Sequence, residues 1–152
     1  MAFKLSNEAN NWFSTINEDS TTGEFAHKWD MYYFAAMVGI TARERVGTDQ
    51  EPDSEPFNQY VPSDYSSQKF EIYSSLVMAE IERQSIPKEA KTEIRELMLG
   101  ILDSKDQTRL SSDGKTLLNC YAESGFKILR DAGPPPTEFD RFLELFVSQI
   151  TS

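Results

Sequence analysis

One cysteine, Cys120, and one histidine, His27, are the whole supply of those residues in a chain of 152. A single thiol excludes any disulfide within the chain and any thiolate cage for a metal. A single histidine excludes the helical di-iron site, which needs two Glu-x-x-His motifs and two further carboxylates, so Glu24 and His27 at that spacing are a chance match. Basic residues are also scarce: 15 against 25 acids give a net charge of −10. Binding to a phosphate backbone runs on Lys and Arg, so direct nucleic-acid binding is not expected, nor is docking on anionic lipid. Long apolar runs are missing as well. The longest, Met31 to Ile40, is about ten residues short of a bilayer span, so no membrane segment is expected. The opening "MAFKLSNEANNWF" lacks the apolar core and small-residue cleavage motif of a secretory signal. A reducing, cytoplasmic location is the resulting expectation.

What is present suffices for a core. Of the residues, 39% are hydrophobic and 12% aromatic, well away from the composition of disordered chains. The length suits one domain over residues 1–152. Apolar residues recur at helical spacing and no run alternates as a strand would, which predicts an all-α domain of about six helices, arranged as a bundle or an orthogonal array. Ser6 is the expected cap of a first helix from about Asn7 to Ile16, and "NEDSTTGE" (17–24) breaks it. A second helix is expected over about Phe25–Val46. Ser63 is the expected cap of a third, ending near Gln84, with Phe70, Tyr73, Val77 and Ile81 on its apolar face. Pro87 suits the first turn of a fourth helix, whose stripe is Ala90, Ile94, Leu97, Met98 and Ile101. A fifth turns Leu118, Tyr121, Ala122, Phe126 and Leu129 inward. "AGPPP" ends it, and Thr137 with Asp140 resembles a capping pair for a last helix carrying Phe139, Phe142, Leu143, Phe146, Val147 and Ile150.

Between the second and third helices lies "GTDQEPDSEPFNQYVPSD" (47–64), with three prolines, five acids and no basic residue. This is a long acidic loop at about 47–63, and loops of that length inside a compact domain are mobile or functional. Its Asp49, Glu51, Asp53 and Glu55 faintly resemble calcium ligands, but the glycine and distant glutamate of an EF-hand are missing. A solvated acidic loop is the plainer account of them, and the functional alternative makes them contacts to a partner.

"HKWDMYYFAAMVGITARERV" (27–46) is the densest segment. Trp29, Tyr32, Tyr33, Ala36, Met37 and Ile40 share one helix face, and most of the remainder is apolar too. Such a helix belongs at the centre of a domain, and its Ala35, Ala36 and Gly39 permit close approach of a neighbour. The alternative gives one face to the domain's own core and the other to a homodimer. Arg43 and Arg45 follow, either offsetting the helix dipole or gripping an anionic group at the edge of an aromatic surface. Trp29, Tyr32, Tyr33, Arg43 and Arg45 therefore join the four loop acids as candidate interaction residues.

Catalytic motifs fail one by one. Cys120 in "LLNCYAES" has no protease-like setting, and His27 lies 93 positions away. "DGKT" (113–116) resembles the end of a phosphate-binding loop but has no upstream glycine or strand. No nucleophile elbow is present. No catalytic residue, metal or cofactor is expected.

Two segments, "WDMYYFAAMVGITARER" (29–45) and "LSSDGKTLLNCYAESGFKILRD" (110–131), resemble small accessory proteins encoded beside bacterial DNA phosphorothioation and related phage-defence systems. The match covers about 40 of the 152 residues. It implies a bacterial cytoplasmic protein that assists DNA-processing machinery, with no catalytic residues to carry over. The leading expectation is a non-enzymatic protein–protein interaction module, an accessory or regulatory subunit. An alternative is a nucleic-acid-linked role, through a basic patch of Arg43, Arg45, Lys115, Lys127 and Arg130 or through an acidic surface imitating DNA. A second is a small enzyme using carboxylates.

Overall fold

A helix that is apolar on every side needs neighbours on every side. The segment around Tyr32 has them. In the computed structural model, which describes residues 3–151, six α-helices follow one another: α1 (Asn7–Asp19), α2 (Lys28–Ala42), α3 (Lys69–Arg83), α4 (Lys91–Ile101), α5 (Ser112–Asp131) and α6 (Phe139–Thr151). Among the described residues no strand forms, and the only β-type pairings are isolated bridges joining Phe3 to Asn58 and Leu102 to Leu110. The domain is all-α. No helix among the described residues is long and apolar enough to cross a membrane.

The core is organised on α2 and α5, the most extensive helix pair in the molecule. Small residues bring their backbones together. A Cβ added at Gly125 of α5 would stand 1.7 Å from the Ala35 carbonyl oxygen, and one added at Gly39 of α2 would stand 2.1 Å from that of Tyr121. Ala35, Ala36, Tyr121 and Ala122 fill the rest of this seam and are buried. Aromatic side chains wedge the outer helices onto it. Phe13 of α1, Phe25, and Phe142 of α6 meet edge to face at centroid distances of 4.9–5.7 Å, the geometry in which ring quadrupoles attract.

Helix ends differ from the sequence expectation in instructive ways. Helix α2 begins at Lys28 rather than Phe25, because the His27 backbone N–H donates to the Asp30 carboxylate at 3.0 Å and fixes the first turn there. It stops at Ala42 rather than Val46. Arg43 turns left-handed with φ +58°, and the N–H groups of Arg43 and Glu44 donate back to the carbonyls of Ile40 and Gly39. This closes the helix without the glycine that normally takes that position. Ser63 caps no α-helix. It opens a single turn, Ser63–Tyr65, whose Tyr65 hydroxyl donates to Asp30 of α2, and α3 begins only at Lys69. Pro87 lies in the turn before α4, whose first residue is Lys91. The N-terminus of α6 is satisfied from far along the chain: Phe139 N–H donates to Ser20 Oγ at 2.9 Å and Asp140 N–H to Thr22 Oγ1 at 3.1 Å. Glu138 in return accepts from the Thr21 N–H at 2.8 Å. The polar break after α1 is thus the cap of α6.

The acidic loop is pinned along its length. Phe57 N–H donates to the Phe3 carbonyl and Phe3 N–H to that of Asn58, Ser54 Oγ donates to the Leu5 carbonyl, and Pro52 is buried. Phe57 packs its ring on Tyr32 at 5.3 Å. It contributes to the core as well as to the surface.

Candidate interaction surfaces

The aromatic and arginine residues expected to meet a partner are mostly used inside the domain. Trp29 and Tyr32 are buried, and the Tyr32 hydroxyl donates to Asn119 Oδ1 at 2.6 Å. Tyr33 is half-buried against Tyr65 and lines a shallow cavity of about 420 Å³ with Asp30 and Asp64. Arg43 turns back to α3, where its Nε donates to Glu82 at 2.7 Å.

Arg45 goes deeper. Its Nε donates to Glu80 Oε2 at 2.8 Å, and the same carboxylate accepts from the Tyr121 hydroxyl at 2.6 Å and from Gln84 at 3.3 Å. Glu80 is 1% exposed. Burial alone would push its carboxyl up, yet the hydrogen bonds from Arg45 and Tyr121 and the charge of Arg45 outweigh that and hold it below the ordinary range. This cluster ties α2, α3 and α5 together. Nothing in the sequence marked Glu80, because one acid in a helix of mixed polarity carries no sign that it points inward.

The five cations considered as a basic patch are largely neutralised. Arg43 pairs with Glu82, Arg45 with Glu80, Lys115 with Asp106 and Arg130 with Glu8 and Asp131. Lys127 lies in a depression beside Glu44 and Asp131. The "DGKT" segment forms the first turn of α5, where a Cβ on Gly114 would stand 2.3 Å from the Ile101 carbonyl oxygen. That glycine serves helix packing, not a phosphate.

Catalytic groups are dispersed. The Cys120 thiol is buried against the Gly47 carbonyl, and burial with nearby Glu51 pushes it up to about 11, so it stays protonated at neutral pH. His27 is exposed and lies 3.6 Å from Asp64. It precedes α2, so Glu24 and His27 share no helix face. Among the described residues no group of three or more His, Cys, Asp or Glu is gathered closely enough to hold a metal ion.

Two surfaces remain. The first gathers three of the four predicted loop acids. Asp49, Glu51 and Asp53 line a pocket of about 480 Å³ with Ser6, Asn7, Ser54 and Glu123 of α5. Glu51 is already engaged, accepting from Asn119 Nδ2 at 2.7 Å and standing 3.9 Å from Lys4 Nζ. Glu123 Oε1 is buried with no hydrogen-bond partner among the described residues. Such a pocket suits a cationic side chain from outside. Glu55 lies farther along the loop, exposed and outside this group.

The second surface lies between α3 and α4 and is apolar. Tyr73, Val77 and Ile81 of α3 and Ile94 of α4 form the floor of a groove of about 540 Å³. Phe70 and Met78 on one wall and Met98 on the other stand 54%, 51% and 40% exposed. Among the described residues no carboxylate lines it, and its one charged lining residue is Arg109. Helix α4 buries only Ile101 fully. The helical stripes of α3 and α4 were legible in the sequence, but they read as core. They are core on one edge and open surface on the other.

Comparison with protein-family models, with curated proteins and with solved structures returned no match for this chain.

Proposed function

We propose that this chain is a non-enzymatic protein-interaction module that serves as an accessory or regulatory subunit of bacterial DNA-acting or defence machinery. The observation that supports the interaction reading is the open α3–α4 face. Three large apolar side chains, Phe70, Met78 and Met98, stand exposed along one groove of a chain whose net charge is −10. Exposed clusters of this kind in monomers mark sites of association, and methionines suit them because their flexible side chains adapt to a partner. The bacterial DNA-linked setting rests on the resemblance of residues 29–45 and 110–131 to accessory proteins of that kind.

The acidic pocket favours a nucleic-acid-linked reading in one version only. Asp49, Asp53 and Glu123 together offer negative charge to a basic partner, as a protein imitating DNA would. The basic-patch version has little to draw on, since four of its five cations are already paired.

The test is affinity capture of the tagged full chain from its native lysate at low and moderate salt, with two variants beside it. M78E/M98E places charge in the apolar face, and D49K/D53K reverses the pocket without removing Pro52 or Phe57 from the core. The expected result is a stoichiometric partner that one of these variants loses while helicity is unchanged. Identical recovery by the wild-type chain and both variants would overturn the proposal.

A further inference from the structure

We infer that the occupant of the α3–α4 face is a second copy of this chain, in a two-fold dimer that lays α3 of each copy over α4 of the other. This rests on the reading of that face as an interaction surface and names the partner.

The two helices run antiparallel. The short turn between them returns the chain, which sets the first turn of α3, with Phe70, toward the end of α4, and the last turn of α3 toward its start; Phe70, Ile81, Ile94 and Leu102 all line the groove. Helical spacing then decides which charges flank the apolar strip. On α3, Glu71, Ser74, Met78 and Glu82 follow at intervals of three and four, so they form one row. On α4, Lys91, Arg95, Met98 and Leu102 do the same. The α3 row is acidic at both ends of its apolar stretch, and the α4 row begins with two bases. Glu71, Glu82, Lys91 and Arg95 are all exposed. Glu82 has Arg43 as its internal partner, whereas Lys91, Arg95 and Arg109 have no ion-pair partner among the described residues.

Symmetry selects the arrangement. A two-fold axis must lie in the plane of a self-matching interface. An axis running across the groove would stack α3 on α3 and α4 on α4, setting acid against acid and base against base. An axis running along the groove stacks α3 on α4 twice and keeps corresponding ends together. Glu82 then comes to the end holding Lys91 and Arg95 of the second copy, and Glu71 comes to the end holding its Arg109. Apolar residues make up the rest: Met78 and Phe70 of one copy lie along the Met98 and Leu102 row of the other. Each charge match occurs twice. The pattern is complementary to itself, whereas a foreign partner places no such requirement on this face. With Glu71 and Glu82 against Lys91, Arg95, Arg109 and Lys69, whose ammonium lies 5.1 Å from the Phe70 ring centre, the face sums to a formal +2 on a chain of −10, so it stands apart from the acidic remainder of the surface.

Sedimentation equilibrium of the full chain across the micromolar range tests this, with circular dichroism confirming equal helicity in every variant. The wild-type chain is expected to be a reversible dimer. K91E/R95E should weaken it by roughly tenfold or more, since each substitution counts at two symmetric places. Adding E71K/E82K to the same chain should restore affinity, because the charges are then exchanged and not merely removed. M98E should leave a monomer. A wild-type monomer throughout the range, or a dimer indifferent to M98E and K91E/R95E, would overturn the inference. Lysate capture separates this from failure of the broader reading. A monomer whose partner capture collapses on M78E/M98E keeps the face as a docking site and loses only the second copy. A monomer whose capture is also indifferent to M78E/M98E and to D49K/D53K loses both.

Discussion

The α2–α5 seam and the α3–α4 face are built from similar sequence material and end in opposite places. Both pair two helices through apolar stripes. In the seam, Gly39 and Gly125 remove every atom that would hold the backbones apart, and α2 is apolar on the side away from α5 as well. On the face, large side chains stand where the small ones would be, and each helix keeps one charged flank. Stripe spacing alone does not separate a core from a docking surface. The size of the residues at the contact and the polarity of the opposite flank do.

The largest expected effect lies in the seam. Gly125→Ala drives a methyl group into the Ala35 carbonyl, a backbone atom that cannot step aside. Overpacking of this severity should cost about 3 kcal/mol or more, read by chemical denaturation, and a Gly100→Ala control, which meets nothing within 4 Å, should not destabilise. Next is the buried cluster that ties α3 to the seam. Glu80→Ala leaves Arg45 and the Tyr121 hydroxyl without their acceptor. Removing one member of such a pair should cost about 3 kcal/mol, seen as a lower Tm.

The same carboxylate gives a pH signature. Because Glu80 is held below its ordinary value of 4.5 in the folded chain, the unfolded chain binds its proton first as pH falls. Its contribution is therefore complete above about 4.5 and is lost as pH drops through the lower folded value. The wild-type chain should lose stability more steeply with acidification below 4.5 than Glu80→Gln does, a difference that vanishes near neutrality. Equal slopes would remove Glu80 as the cause. The smallest effect on stability belongs to the face. Met98→Glu replaces an exposed side chain, so it should change the stability of the monomer by no more than about 0.5 kcal/mol in urea.

Much of the fold was legible in the sequence. Six helices, the central place of the segment around Tyr32 and the acidic loop follow from spacing, composition and prolines. Boundaries were less so. The Arg43 turn uses a left-handed arginine where glycine is the usual signal, and the cap of α6 comes from Ser20 and Thr22, more than a hundred residues away. The candidate surfaces divided similarly. Asp49, Glu51 and Asp53 could be found because loop acids announce themselves, and the fold adds Glu123 to them. Tyr32 and Arg45 were drawn inward by Asn119 and Glu80, partners whose own direction no local pattern reveals, and Trp29 by the rings of Phe3 and Tyr32. Phe70, Met78 and Met98 were visible as stripes, but only packing shows which edge of a stripe remains uncovered.

The central claim is that the α3–α4 face serves association and not the integrity of the fold. It is tested most directly by measuring thermal unfolding and sedimentation of Met98→Glu beside the wild-type chain. At a concentration where the wild-type chain is monomeric the two should share one Tm, and at higher concentration only the wild-type chain should associate, with the rise in Tm that mass action gives it. A wild-type chain and variant that sediment alike, or a variant whose Tm collapses, would contradict it.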